Sequence, residues 1–204
     1  MNWRSLVLSA AICGLASGGL AHGAERHTDP TTPPLTDAVT PLPWKIGGAF
    51  ELIDHTGAAR SQVEPDGRMQ LVFFGYANCP GICSAALPMM ADAADILETR
   101  GIAVTPVMIT IDPVLDTVGT MGPALAKISP DLVGLTGSPE ALAEVHAAFQ
   151  ISFEKIMNDP QHGPIYAHGS HIYLLDATGR VLTLMPPVLP ADHVADIVTK
   201  YAKI

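Results

Sequence analysis

Two cysteines separated by three residues form the part of this sequence best suited to chemistry. Residues 74–83 read Phe-Gly-Tyr-Ala-Asn-Cys-Pro-Gly-Ile-Cys and continue an apolar run that begins at Leu71. Such a run predicts a strand buried on both faces of a sheet, so Cys79 and Cys83 should lie where that strand turns into a helix. Free backbone N–H groups and the positive end of the helix dipole favour thiolates there.

This thiol pair is consistent with three kinds of site. Residues four apart in a helix have Cα atoms about 6 Å apart, within the range of a disulfide, so Cys79 and Cys83 could form a redox-active pair. Two thiolates also suit Cu(I) or Zn(II), and one added imidazole would suit Cu(II) as well. An inert stabilising disulfide is the third interpretation, although its short loop would give little entropic stabilisation.

A metal site would need a further ligand from elsewhere, and three histidines cluster in one segment. His162, His168 and His171 precede an apolar run at residues 172–175. A loop there could face the carboxyl end of the first buried strand, where open α/β sheets place their sites. The residues alone leave open which histidine would bind. Three others are expected to be solvated or packing residues: His55, His146 and His193.

The order of the predicted elements is that of a thioredoxin-like α/β domain. A hairpin near residues 50–57 leads into alternating strands and helices, which a second hairpin and a terminal helix follow. We therefore predict a central mixed sheet flanked by helices, with an N-terminal hairpin extension. The predicted strands are 70–74, 103–111, 132–135, 172–175 and 181–184. The predicted helices are 84–99, 118–128, 139–149 and 190–201. Pro88 should kink the first helix or begin a new one.

The beginning of the chain has the pattern of an export signal. Residues 1–21 combine a single charged side chain, a short apolar run and small residues, which predicts a signal peptide cleaved after Ala21 or kept as a membrane anchor. Cys13 lies inside this segment. Residues 22–46, rich in Thr and Pro, predict a flexible tether before one domain at 47–204. The expected compartment is a bacterial periplasm.

The charge of the chain argues against nucleic acid as a partner. There are 20 acidic residues against 11 Lys and Arg, a formal net charge of −9. No basic patch of the kind that binds phosphate backbones is present in the sequence. Solubility is a sufficient explanation of the acidity.

Two segments resemble the signature of the Sco/SenC family. Residues 71–83 read Leu-Val-Phe-Phe-Gly-Tyr-Ala-Asn-Cys-Pro-Gly-Ile-Cys, and residues 111–117 read Ile-Asp-Pro-Val-Leu-Asp-Thr. That family comprises thioredoxin-like copper chaperones associated with assembly of the dinuclear copper centre of cytochrome oxidase. The resemblance extends over about residues 48–204.

The resemblance implies a copper site with three ligands. The family's copper ligands are the two motif cysteines, here Cys79 and Cys83, and a histidine five residues before a Tyr-Leu pair. With Tyr173-Leu174 in this sequence, that histidine is His168. His171, only two residues before Tyr173, would lie within the strand. The cargo would be Cu(I) or Cu(II).

Four positions depart from the family's usual pattern. The family commonly has an acidic residue at Gly81, Pro at Ser84, Arg at Leu115 and Asp at Ala167. None of these changes removes a metal ligand. They bear instead on the docking surface, on redox tuning and on the identity of the client.

Two acidic residues follow the second predicted buried strand. Asp112 and Asp116 flank a turn, where carboxylates commonly cap the backbone. The alternative is that they orient the metal site or a partner. They do not form a convincing acid/base pair.

The leading hypothesis is an exported copper chaperone without catalytic turnover. Its partners would be a copper-enzyme client, an upstream copper donor and a thiol reductant, with membrane proximity if the N-terminus is uncleaved. A thiol-disulfide oxidoreductase acting on client cysteines or peroxide is the rival, with Cys79 as the nucleophile. Its usual spacing is two residues, against three here. A copper or redox sensor is the third hypothesis.

Overall fold

A computed structural model describes residues 42–169 and 171–203 of the chain. The predicted signal peptide at 1–21, Cys13 and most of the predicted tether at 22–46 lie outside these ranges. Of the helices within them, none is long and apolar enough to cross a membrane.

The strands are β1 Glu51–Asp54, β2 Ala59–Ser61, β3 Met69–Gly75, β4 Val104–Thr110, β5 Val133–Thr136, β6 Phe153–Asp159, β7 Gly163–His168, β8 Ile172–Leu175 and β9 Val181–Met185. The helices are α1 Cys83–Thr99, α2 Val118–Leu125, α3 Pro139–Ala148 and α4 Ala191–Tyr201.

Seven strands form a central mixed sheet in the order β2-β1-β5-β4-β3-β8-β9. The neighbouring strands β3, β4 and β5 run parallel, whereas β1 and β8 add to them antiparallel. β6 and β7 pair separately as a two-stranded antiparallel hairpin. The predicted mixed sheet and the N-terminal hairpin of β1 and β2 are therefore confirmed.

Strand β3 lies at the centre of the hydrophobic core. Its residues Leu71, Val72, Phe73 and Phe74 are at most 1% exposed. β4 pairs with one edge of β3 and β8 with the other, so side chains on both faces and both edges are covered. This is the environment that a continuous apolar run predicts.

Helix α1 begins at the second cysteine and packs one face onto the sheet. Its buried side chains include Leu87, Met90 and Leu97. Pro88 lies inside a continuous helix, so the predicted alternative of a new helix starting at that residue is wrong. The apolar face extends on both sides of Pro88, and its burial outweighs the loss of one backbone hydrogen bond. Beyond the helix, Gly101 has a φ of +75°.

The β6–β7 hairpin is the main element that the sequence analysis missed. The segment Gly163–His168, which was expected to be a loop, is strand β7. Six of the seven residues of β6 are exposed, and its sequence, Phe-Glu-Lys-Ile-Met-Asn-Asp, does not alternate between apolar and polar residues. Without that alternation the principal sequence signal for a strand is absent. Helix α2 also ends at Leu125, three residues before the predicted end at residue 128.

Gly179 closes the β8–β9 hairpin in a conformation that favours glycine. Its φ is +87°, and a Cβ at this position would lie 2.6 Å from the main-chain oxygen of Gln62. Gly101 has a φ of +75°, but a Cβ added to Gly101 would have no neighbour within 4 Å.

We expect Gly101→Ala to lower the free energy of unfolding by about 1 kcal/mol, the cost of the left-handed conformation. Gly179→Ala should lose about 1–3 kcal/mol more, because the turn must also move away from Gln62. Urea unfolding of both variants measures the difference, and equal losses would contradict the predicted close approach.

Candidate metal centre

The two motif cysteines lie where strand β3 passes into helix α1, as predicted. Cys79 is in the connecting loop, where its N–H donates to the carbonyl of Tyr76 at 3.2 Å. Cys83 is the first residue of α1 and is 2% exposed. The hydroxyl of Ser84 donates to the carbonyl of Gly81 at 2.7 Å, which fixes the end of the loop. Both thiols are free, Cys79 partly buried and Cys83 fully buried.

His168 supplies a nitrogen next to both sulfurs. It is the last residue of β7, and its Nδ1 lies 3.0 Å from the carbonyl oxygen of Gly169. Since a carbonyl only accepts, Nδ1 carries a proton, and Nε2 is the ring nitrogen that faces the sulfurs. Nε2 lies 3.7 Å from the Cys83 sulfur. The Cys79 and Cys83 sulfurs and a His168 ring nitrogen all lie within 4.8 Å of one another.

The other two histidines of the cluster do not belong to this group. His162 lies in the turn between β6 and β7, and His171 is exposed and comes directly before β8. The expectation that His171 lies within the strand is therefore wrong by one residue, because β8 begins at Ile172. Among the three candidates, the structure brings only His168 to the cysteines.

Aromatic rings enclose the imidazole of His168. The Phe73 ring is inclined to it by 73° at a centroid distance of 5.9 Å, and the Tyr76 ring by 71° at 6.0 Å. The Tyr76 hydroxyl accepts the N–H of Tyr166 at 3.3 Å, tying the motif to β7. Burial raises the pKa of Tyr76 to about 12, so this phenol stays neutral. These rings hold the imidazole in one orientation and exclude water from one side of the group.

The two thiols differ in acidity. A hydrogen bond from the Cys83 thiol, with smaller contributions from His168 and backbone N–H groups, lowers the pKa of Cys79 to about 4 against the effect of burial. The same hydrogen bond, together with burial, raises the pKa of Cys83. Backbone N–H groups act to lower the pKa of both cysteines, as expected at a helix terminus, but for Cys83 the hydrogen bond to Cys79 and burial outweigh them. Burial acts to lower the pKa of His168, but the Cys79 thiolate raises it overall.

This set of donors fits copper. Two sulfurs and one imidazole nitrogen are the soft ligands that Cu(I) prefers, and they also accommodate Cu(II). Structural zinc sites usually take four protein ligands, whereas the group found among the described side chains has three. Binding would displace the proton of Cys83, because a thiolate and not a thiol is the metal ligand.

Asp116 supports the cysteine loop from the interior of the protein. It is 3% exposed, and its carboxylate oxygens accept the N–H of Ala77 at 3.0 and 3.3 Å. The Thr110 hydroxyl donates to the same carboxylate at 2.7 Å. Asp112 is equally buried, and its Oδ2 has no hydrogen-bond partner within the described part of the chain. The geometry favours an orienting role for Asp116, since Ala77 lies two residues before Cys79.

The four departures from the family pattern are all accessible. Gly81, Ser84 and Ala167 are exposed, and Leu115 is 41% exposed. Leu115 packs beside Gly163, at the start of β7, where an added Cβ would lie 3.4 Å from its Cδ1 atom. Each of these residues is uncharged, so the three positions at which the resemblance implies a charge carry none.

Comparisons with known proteins agree with this geometry. A family model described as SCO1/SenC matches residues 39–203. An SCO2-like protein of Rickettsia felis is 37% identical over 140 residues, 68% of this chain and 68% of that protein. Arabidopsis thaliana ScoI with copper bound has a TM-score of 0.71 at 28% identity, covering 78% of this chain and 99% of that one. Bradyrhizobium japonicum ScoI with copper bound has a TM-score of 0.67 at 29% identity, covering 76% and 99%. The thioredoxin-like fold is confirmed.

Gly75 permits the close approach of Cys83 to the end of β3. A Cβ on Gly75 would lie 2.9 Å from the Cys83 sulfur and 2.7 Å from the Phe73 ring. Gly75→Ala should therefore displace this sulfur and weaken copper retention by on the order of 10-fold, as misplacing a ligand's support commonly does. Gly81→Ala is a matched control, because its Cβ would lie 3.8 Å from the Cys79 sulfur, an ordinary contact. Competition with a Cu(I) chelator measures both, and equal affinities in the two variants would contradict the argument.

The buried carboxyl group of Asp116 should make stability depend on pH. Burial raises its pKa above the ordinary 3.8, so its contribution is present below pH 3.8 and is lost as the pH rises through the higher value. Relative to Asp116→Asn, which stays neutral, the wild type should lose free energy of unfolding as the pH rises. Denaturant unfolding across the acidic range measures this, and a constant difference would contradict the prediction.

Asp176 offers a control of opposite sign. Burial acts to raise the pKa of Asp176, but hydrogen bonds from Thr178 and Arg180 lower it below 3.8. Its contribution is therefore present above pH 3.8 and is lost as the pH falls. Relative to Asp176→Asn, the wild type should lose stability towards low pH.

Proposed function

Because the chain belongs to the SCO1/SenC family, we propose that it is a copper chaperone that holds copper through Cys79, Cys83 and His168. The observation that carries the proposal is the convergence of two free thiols and one imidazole nitrogen within 4.8 Å of one another. Copper is the cargo of this site and not a resident cofactor. The protein then has no catalytic turnover of its own.

The difference between the two thiols supports an ordered exchange of ligands. Cys79 is partly exposed and is already a thiolate at neutral pH, so it is the sulfur that an incoming copper ion meets first. Cys83 is buried and gives up its proton when it binds. His168 presents Nε2 to the copper, because its Nδ1–H is held by the carbonyl of Gly169. In delivery, soft donors of the client replace these ligands one at a time.

The client is proposed to be a copper enzyme, with the dinuclear copper centre of cytochrome c oxidase as the first candidate. The copper-bound ScoI structures and the family membership support a role in copper handling. We place the protein in the bacterial periplasm, where its signal-like N-terminus would direct it. An upstream copper donor and a thiol reductant complete the proposed partners, because a Cys79–Cys83 disulfide would remove both sulfur ligands.

A thiol-disulfide oxidoreductase is the second candidate. The observation in its favour is the pairing of a partly exposed thiol of pKa about 4 with a buried thiol of raised pKa. That pairing suits a nucleophile, Cys79, and a second thiol, Cys83, that resolves a mixed disulfide. An imidazole nitrogen beside both sulfurs is not required by such chemistry.

Anaerobic copper titration of the full chain tests the proposed ligands. The wild type should retain copper against dialysis, and the double variant Cys79→Ser/Cys83→Ser should not. His168→Ala should lower affinity at least about 10-fold and change the Cu(II)–thiolate absorption. His171→Ala, the matched control, should leave both unchanged. If His171→Ala abolishes the spectrum while His168→Ala leaves it intact, the ligand assignment is wrong.

The same preparation separates the two functions. Failure of the wild type to retain copper, together with rapid reduction of a disulfide substrate, would replace the chaperone proposal by the oxidoreductase. Copper retention with negligible disulfide reduction supports the chaperone.

A further inference from the structure

His162 lies beside the motif although it is outside the three-ligand group. Its main-chain oxygen accepts a hydrogen bond of 2.7 Å from the side-chain amide of Asn78. Asn78 immediately precedes Cys79, the partly exposed sulfur. The turn that carries His162 is thereby tied to the loop that carries Cys79.

The imidazole of His162 is held through one of its two ring nitrogens. Its Nδ1 lies 2.9 Å from Oδ1 of Asp159, and the same oxygen accepts the backbone N–H groups of Gln161 and His162 at 2.8 Å each. These hydrogen bonds lower the pKa of Asp159, which therefore stays ionised. Nδ1 then carries the proton, and the lone pair of Nε2 has no hydrogen-bond partner among the described residues. Metal-binding histidines are commonly fixed in this way by a carboxylate on the other ring nitrogen.

Structural stabilisation explains why Asp159 accepts two backbone N–H groups, but it does not explain why an imidazole ring stands at position 162. Asp159 would cap the turn through the two N–H groups whatever side chain followed at position 162. The His162 side chain is 39% exposed, and an accessible pair of this kind contributes little to stability. The contact with Asn78 uses the main-chain oxygen and does not need the imidazole either.

We propose, resting on the proposed copper chaperone function, that His162 Nε2 is a transient copper ligand on the path into and out of the centre. Copper passes between His162 and Cys79 by exchange of ligands, and Cys83 and His168 then engage or release it. The ion keeps its oxidation state throughout. His162 donates the lone pair of Nε2, and each sulfur binds as a thiolate, so that any proton on a binding group passes to solvent.

Stopped-flow loading with Cu(I) tests the proposal. Full-length reduced protein is mixed with the coloured Cu(I)–bicinchoninate complex, and loss of colour gives the rate and the final occupancy. His162→Gln, which keeps a polar side chain but no copper ligand, should slow loading by on the order of 10-fold while leaving the final occupancy unchanged. His162→Met, whose thioether is a soft donor for Cu(I), should restore most of the rate. His193→Gln, which removes an exposed imidazole from α4, is the control and should load like the wild type.

Three results would overturn the proposal. These are loading of His162→Gln at the wild-type rate, equal slowing in His193→Gln, and loading of His162→Met as slow as that of His162→Gln. Thermal unfolding of each variant checks that the hairpin is intact, which is expected because the bond to Asn78 uses the main chain. If the wild type itself takes up no copper, the chaperone function fails. If it takes up copper at a rate that His162 does not affect, only this inference fails.

Discussion

The pairing of strand β3 on both edges positions every donor atom of the metal centre. Its last residue, Gly75, accepts the N–H of Ile111 at 2.9 Å, so the chain leaving β4 stays beside the cysteine loop. On the other edge, Phe73 pairs with Ile172 at the start of the antiparallel strand β8. The chain that reaches β8 therefore brings His168 to the same end of the sheet. A single buried strand thus brings two sulfurs and one nitrogen together. Cys79 and His168, the pair farthest apart in the sequence, are separated by 89 positions.

The electrostatics of the centre follow from this placement. One sulfur lies in the loop, where backbone N–H groups and a neighbouring thiol stabilise its negative charge. The other is the first residue of α1 and is covered by the core, where charge is costly without a metal. In the metal-free centre, negative charge is therefore favoured on Cys79 over Cys83. A cation bound between the two sulfurs would offset the cost of ionising the second one.

The parts of the fold that depend on hydrophobic burial could be predicted from the sequence. The run ending at Phe74 gave strand β3, and the spacing of the cysteines gave their position at the start of α1. Choosing His168 required the family resemblance, because three histidines share the segment. The β6–β7 hairpin could not be predicted, since most of β6 is exposed and its stability comes from pairing across the hairpin. The contact of Asn78 with His162 depends on that hairpin and was missed for the same reason.

The four uncharged departures from the family pattern bear on how a partner finds the centre. Gly81, Ser84, Leu115 and Ala167 replace residues that are commonly acidic, Pro, basic and acidic in the family, and all four are accessible. Attraction between charges accelerates encounter and is screened by salt, whereas contact between apolar surfaces is not. A partner recognised through these four positions alone would associate at a rate that changes little with ionic strength. Copper exchange across such a contact would then proceed at similar rates in dilute and in salty solution.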